Sequence, residues 1–409
     1  MKILIAPDSF KESLSAPQVA AAIGEGVLRA LPDARLDLCP MADGGAGTVS
    51  AMVASTGGVY RFAEVFGPTG AQMRARYGLL GEPGGANLPG ELGLLGAISD
   101  SEAIDDGDGE IGSRKLAVIE MAAASGLALV PRDRRDPLRT TTFGTGQLIA
   151  AALDEGAEEI IVGLGGSATV DGGCGAAQAL GVTFCGADGE PIVCGLAGGG
   201  LKDIRHIDLD GRHPAIGEVP IRLACDVNNP LVGPDGAAAV FGPQKGADPA
   251  AVAELAAGLE HLAGLIRSQV GKDIARTPGG GAAGGLAAGL VAFADAQIES
   301  GARLLADGVA LRQRLAGCRL CLTGEGALDA TTAAGKTAWA VAQIAAELNV
   351  PTLCIPGQLT EGAAVDAFHS VWPLVAGEVQ AEESLADPAP LLARRAADAV
   401  RAFVAGAGF

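Results

Sequence analysis

At 409 residues the chain is long enough for two domains of ordinary size. Its 49% hydrophobic content with only 3% aromatics requires large cores built from aliphatic side chains. A formal net charge of −19 argues against nucleic acid and against anionic membrane surfaces, since both need clustered Lys and Arg.

Residues 2–6 (KILIA) form a short apolar strand that stops at Ala6-Pro7-Asp8, too soon for a signal peptide. Val19, Ile23, Val27 and Leu31 then recur at helical spacing. Residues 36–45 (LDLCPMADGG) give a strand entering a glycine turn, and residues 48–55 (TVSAMVAS) start a second helix. From about residue 81 to 115 the rhythm breaks. Gly, Pro and acids dominate there, so the stretch reads as a surface excursion near a domain boundary. Its aspartates lack the spaced pattern of a calcium loop.

Alternation resumes with residues 116–130 (LAVIEMAAASGLALV) and runs to a terminal helix over residues 390–406. Strands alternating with helices predict an α/β protein with largely parallel sheets. No run of about 20 apolar residues escapes Gly or charge, so no membrane span is expected. The eight cysteines, Cys318 and Cys321 included, show no framework spacing and read as buried thiols of a cytoplasmic protein.

Five polar loops leave apolar runs: APDSFKESLS, PMADGGAGT, GLGGSATVDGG, ACDVNNPL (with FGPQKGA further on) and LTGEGALD. In α/β sheets, ligands collect outside the carboxyl ends of strands. Four of these loops place an aspartate just past the run, namely Asp8, Asp43, Asp171 and Asp226, and the fifth carries Glu325 and Asp329. A single such aspartate would be an ordinary cap or turn residue. Five acid-bearing loops with glycines beside them point instead to a shared ligand site.

The glycine loops also invite wrong assignments. Gly335-Lys336-Thr337 opens a helix like a Walker motif, but Ala330 stands where that motif needs glycine. Residues 279–284 satisfy G-x-G-x-x-G without a clear strand before them or an acid about 20 residues on. A nicotinamide-dependent reductase is therefore a poor reading. Ser167 is no nucleophile elbow, because Thr169 takes the last glycine position and His206, His213, His261 and His369 lie in surface-like contexts.

What remains is a set of anion nests. Gly163, Gly165, Gly166 and Ser167 can wrap an anion with main-chain donors, and Gly281, Gly284 and Gly285 could do so at a helix N-terminus. Lys11, Lys245 and Lys336 each sit in a loop beside Gly or Ser. Carboxylates can hold Mg²⁺ together with phosphate oxygens. The combination fits phosphoryl transfer from a nucleotide.

Nine motifs in order, MKILIAPDSFKESLSA, MADGGAGT, VIEMAAASGL, TTTFGTGQLI, GLGGSATVDGG, ACDVNNPL, FGPQKGA, GGGAAGGL and LTGEGALD, give the chain a resemblance to the bacterial glycerate kinase family, of the glycerate 2-kinase type. The resemblance covers nearly the whole chain apart from the acidic stretch. It implies ATP and Mg²⁺ as cofactors, D-glycerate as acceptor and 2-phosphoglycerate as product. A related small hydroxy acid as substrate, or 3-phosphoglycerate as product, stays open, as does a homodimer. The chain departs from the family's motifs at Ala46, Val170 and Thr331.

The resemblance further implies two α/β domains with the active site in the cleft between them. The flavodoxin-like one would combine residues 1–90 with 300–409, and the inserted one would span residues 115–299, with 91–114 as an acidic Gly/Pro-rich loop. Asp171 is the expected base for the 2-hydroxyl, with Asp226 and Lys11 beside it. Asp8, Ser9, Lys11, Asp43, Gly44, Gly45, Glu325 and Asp329 are assigned to the substrate. Gly165, Gly166, Ser167, Lys245, Gly281, Gly284, Gly285 and Lys336 are assigned to phosphates or nucleotide, and Asp226 and Glu325 to the metal.

Overall fold

The computed structural model describes residues 1–10, 13–81, 115–375 and 387–407. The chain opens with β1 (Lys2–Ile5), α1 (Ala16–Ala30), β2 (Arg35–Leu38) and α2 (Thr48–Thr56). A hairpin of β3 (Val59–Phe66) and β4 (Gln72–Leu79) follows. Next come β5 (Leu116–Glu120), α3 (Phe143–Asp154), β6 (Glu159–Gly163), α4 (Cys174–Ala179) and β7 (Ile221–Ala224). After them run α5 (Pro249–Leu265), α6 (Leu286–Phe293), β8 (Gln297–Glu299) and α7 (Gly301–Gly308). The last elements are β9 (Leu320–Thr323), α8 (Thr337–Glu347), β10 (Thr352–Cys354), β11 (Ser370–Val371) and α9 (Pro388–Ala407).

Two sheets result. The first has the order β11-β10-β9-β1-β2 and is parallel throughout. Counted within that sheet, the order is 2-1-3-4-5, the flavodoxin-like arrangement, with its switch point between β1 and β9. The second has the order β8-β7-β6-β5-β4-β3, parallel from β8 to β5 and antiparallel at β4 and β3. The α/β class with largely parallel sheets is as the alternation implied. One boundary differs. Residues 59–79 fall in the stretch grouped with the first sheet, yet β4 hydrogen-bonds to β5 and the hairpin completes the second. The edge of β5 away from β6 is open, and β4 pairs with it. Residues 91–114 lie outside the described part of the chain.

The side-chain period of two along each strand sorts the cores. Ile3 and Ile5 of β1 face outward and pack with Ile23 and Val27 of α1 and Leu392, Ala396 and Val400 of α9. Leu4 faces inward and joins Met52 of α2, Leu304 and Leu305 of α7, and Val118 and Ile161 of the second sheet. Alternate residues of that sheet, Ile119, Ile160 and Val162, pack against Leu148 and Ile149 of α3 and Leu286 and Leu290 of α6. One layer of helices is therefore shared between the two sheets. The helix run Pro249–Val270 is long and apolar enough by composition to cross a membrane, but Leu255, Leu259 and Leu262 are fully buried in the protein's own core.

Local signals explain the entry to the first crossover. Ser15 precedes α1, and its backbone N–H donates to Gln18 Oε1 at 2.9 Å, half of a capping box. This fixes where the loop after β1 ends. That loop and the one after β2 then open on the same side as the loops after β6 and β7.

Candidate active site

The sequence reading required that its acid loops converge, and at the carboxyl ends of four parallel strands they do. A cavity of about 1000 Å³ is lined by Asp8 and Ser9 after β1, Asp43 to Gly47 after β2, Gly165 to Ser167 after β6, and Asp226 after β7, with Lys245 at its wall. A second cavity of about 360 Å³ sits at the switch point of the first sheet, lined by Asp8, Ser9, Asp43, Glu325, Lys336 and Thr337 among others. Asp8, Ser9 and Asp43 border both. The two spaces therefore meet at these residues.

The loops brace one another. Asp8 N–H donates to Gly324 O at 2.8 Å, tying the β1 loop to the β9 loop. Asp8 accepts from Ser9 N–H at 2.6 Å and from Thr337 Oγ1 at 2.8 Å. Across the cleft, Gly165 N–H donates to Gly44 O at 3.2 Å. A Cβ on Gly165 would stand 2.7 Å from Gly45 Cα, so only glycine allows the two lobes' loops to touch. Asp43 accepts from Gly45 N–H at 2.9 Å, and Asp226 accepts from Gly301 N–H at 2.9 Å at the start of α7.

Charge is concentrated here. Burial pushes the Asp226 carboxyl up, and the Asp43 charge adds to the effect, so the two face each other closely enough to repel. Glu325 is 7% exposed, and its pKa is pushed up to about 7 by burial, with Lys336 opposing and Asp8 and Asp329 reinforcing. Lys336 Nζ donates to Asp329 Oδ2 at 2.8 Å, and that bond holds the Asp329 carboxyl down, at about 2. Lys245 is 2% exposed and donates to Ser167 Oγ at 2.6 Å and Thr169 O at 2.7 Å. Burial lowers its pKa to about 7, with the Asp171 charge working against that.

Several expected residues sit elsewhere. Asp171 is fully buried and does not line the cavity. Its carboxylate accepts from Thr142 N–H and Oγ1, both at 2.7 Å, from Gly173 N–H at 3.0 Å and from Gly175 N–H at 3.4 Å. It fastens the start of α4 and presents no atom to the cavity. Gly281, Gly284 and Gly285 do not line the cavity, whereas Ala282 and Ala283 between them do. A Cβ on Gly284 would lie 1.9 Å from Thr169 O, so this glycine serves the packing of α6's entry against the β6 loop. Asp226 and Glu325, paired in the sequence reading as metal ligands, line different cavities. Lys11 lies outside the described residues.

Thr337 and Gln358, to which the sequence reading gave no role, line the smaller cavity, and Thr337 holds Asp8. Thr337 stood in plain view in Gly335-Lys336-Thr337, read only as a failed Walker motif. Nothing in the sequence around Gln358 marks it.

Fold and site together define a two-sheet α/β enzyme whose acid-and-glycine loops meet across a cleft. The glycerate kinase family model matches residues 3–404. The chain is 45% identical over 379 residues to the glycerate kinase of Halalkalibacterium halodurans, covering 91% of each. It is 44% identical over 371 residues to the glycerate 2-kinase of Escherichia coli K12, covering 91% of this chain and 89% of that one. A crystal structure described as a glycerate kinase 2 from Salmonella typhimurium LT2 superposes with a TM-score of 0.84 at 41% identity, with both chains fully covered. The chain belongs to the glycerate kinase family and is a kinase.

Proposed function

We propose that this enzyme transfers the γ-phosphoryl group of ATP to the 2-hydroxyl of D-glycerate, giving 2-phosphoglycerate. The observation that carries the reading is the junction of two cavities of unequal size at Asp8, Ser9 and Asp43. The larger has the volume of a nucleotide site, and the smaller suits a three-carbon acid. The reacting atoms would meet where they join. Gly166, Ser167 and Lys245 offer donors to phosphate oxygens in the larger space, while the Gly165 N–H is taken by Gly44 O. Lys336, at the start of α8, offers a cation to the glycerate carboxylate in the smaller one.

Asp8 and Asp43 flank the path of the transferred group and orient the attacking hydroxyl. Glu325 is the better proton acceptor. Its pKa near 7 matches a base working near neutral pH, and the Thr332 Oγ1 that donates to its carboxylate stands 3.5 Å away. Phosphoryl transfer asks chiefly for positioning and charge neutralisation, which these side chains provide.

Mg²⁺ fits the donor set. Asp43 and Asp226 are hard oxygen ligands whose charges repel in the larger cavity. Among the described residues no cluster of three metal-ligating side chains occurs, so phosphate oxygens and water would complete the shell. When bound, Mg²⁺ neutralises charge on the phosphates of the nucleotide. Eight free thiols suit a reducing compartment, and we read the enzyme as cytoplasmic.

The test is to incubate the enzyme with ATP, Mg²⁺ and D-glycerate and follow the product by phosphorus and proton NMR. The expected result is ADP together with a phosphate coupled to the C2 proton. Coupling to the C3 protons would move the attack to the other hydroxyl, and no glycerate-dependent ADP would sink the reading.

A further inference from the structure

Asp171 is the most enclosed acid near the site, and its relation to Lys245 gives it a function without contact. The loop that carries Ser167, Thr169 and Asp171 is one short segment. Its first two members hold Lys245 Nζ, and its third anchors the same segment to Thr142, Gly173 and Gly175. We propose that Asp171 is a positioning residue that acts through Lys245: it supplies the buried counter-charge that keeps the lysine cationic, and so sets the affinity of the larger cavity for a nucleotide's phosphates. This rests on the reading of that cavity as the nucleotide site.

The geometry supports each step. Both hydrogen-bond partners of Lys245 Nζ are neutral oxygens, so neither compensates a buried ammonium. The third N–H of the ammonium has no partner among the described residues, and the side chain borders the cavity. Four donors converge on Asp171. A carboxylate, which only accepts, satisfies all four, whereas a protonated acid would bring a hydrogen into a ring of hydrogens. Burial pushes the Asp171 carboxyl above its ordinary value, and the four donors work against that rise.

Other charged groups are less well placed. Asp235 and Asp248 on the segment around Lys245 are exposed to solvent. Arg135 packs its backbone on Gly246, and the Cys174 thiol, beside Asp171, is pushed well up and stays neutral. Asp43 and Asp226 lie across the cavity. Asp171 is the charge that acts on the lysine.

Lys245 in the empty site keeps its proton below about pH 7 and loses it above. A bound anion favours the protonated form. Nucleotide binding therefore takes up a proton at pH 8, and affinity falls as pH rises. Isothermal titration of ADP into the enzyme between pH 6 and 9 reads both. In the wild type the dissociation constant should weaken about tenfold across this range, the worth of one charged hydrogen bond. Asp171→Asn keeps the size of the side chain and should move that weakening down by about one pH unit. Lys245→Arg, charged throughout, should flatten it, and should do so in the Asp171→Asn background too.

Titration of the wild type at pH 8 in two buffers of different ionisation enthalpy measures the proton uptake with no variant at all. Binding without proton uptake, or an Asp171→Asn profile that overlays the wild type, overturns the proposal. No ADP binding at any pH would instead overturn the placement of the nucleotide.

Discussion

The loop that leaves β6 and the loop that leaves β9 both set glycines beside acids, yet the structure turns their carboxylates opposite ways. Asp171 is fully buried and ringed by four donors, while Glu325 lines an open cavity with one long contact from Thr332 Oγ1. The cause is what lies above each loop. The β6 loop is covered by the entry to α6, whose backbone crosses it so closely that Gly284 has no room for a Cβ. The β9 loop sits at the switch point, where the chain leaves β1 and β9 toward opposite faces of the sheet and a crevice stays open. Dense glycine marks backbone packed on backbone, and a ligand is only one of the things that can be packed there.

The comparison predicts opposite phenotypes. At the open site, Asp43→Asn should cut kcat/KM for glycerate by about 10³-fold, with a melting temperature near that of the wild type. Asp43 borders both cavities, and an asparagine there keeps the oxygen that accepts from Gly45 N–H. Steady-state kinetics beside a thermal melt checks both halves, and a variant that loses its fold along with its activity would break the contrast.

At the sealed site, Asp171→Ala should cost about 3 kcal/mol or more of stability, because four buried donors lose their acceptor at once. Urea unfolding reads this directly. A fully stable Asp171→Ala protein would mean that the donor ring does not hold the loop.

Glu325→Gln sharpens the contrast through pH. The folded carboxyl titrates near 7 against 4.5 for the free group. A raised acid stabilises the fold below the lower value and loses that contribution as pH climbs through the upper one. The Gln variant should therefore match the wild type in melting temperature at pH 4 and exceed it at pH 8. Its kcat should be low at every pH, and the wild type's rise in kcat/KM through pH 7 should be missing. An unchanged profile would remove Glu325 from proton transfer.

How much of this was legible beforehand divides along physical lines. Alternation of strand and helix, and polar loops at strand ends, are local properties, and they gave the α/β class and the loops that border the cavities; the two domains and their cleft came only with the family resemblance. The convergence of Asp8, Asp43 and Asp226 followed from the rule that ligands gather at carboxyl ends of strands. The exposure of a given carboxylate depends on which distant segment covers it, and no spacing encodes that. The burial of Asp171 was not legible because α6's entry, more than a hundred residues later, closes over its loop. The hairpin of β3 and β4 was grouped with its sequence neighbours because its pairing to β5 spans residues that show no period.

The finest test lies inside the open site. Asp329 and Lys336 are each about a third exposed, and exposed pairs contribute little, so Asp329→Asn should change stability by about 0.5 kcal/mol or less. The two residues nonetheless bear on Glu325 with opposite signs, Lys336 lowering its titration and Asp329 raising it. Lys336→Met should move the acidic limb of the glycerate pH profile upward, and Asp329→Asn should move it downward, each by a few tenths of a pH unit. Lys336→Met should also raise the KM for glycerate about tenfold with kcat nearly kept, since it removes a contact made before and during transfer. Opposite displacements from two neighbours of like exposure would tie the limb to Glu325. Displacements of the same sign would hand it to another group of the cleft.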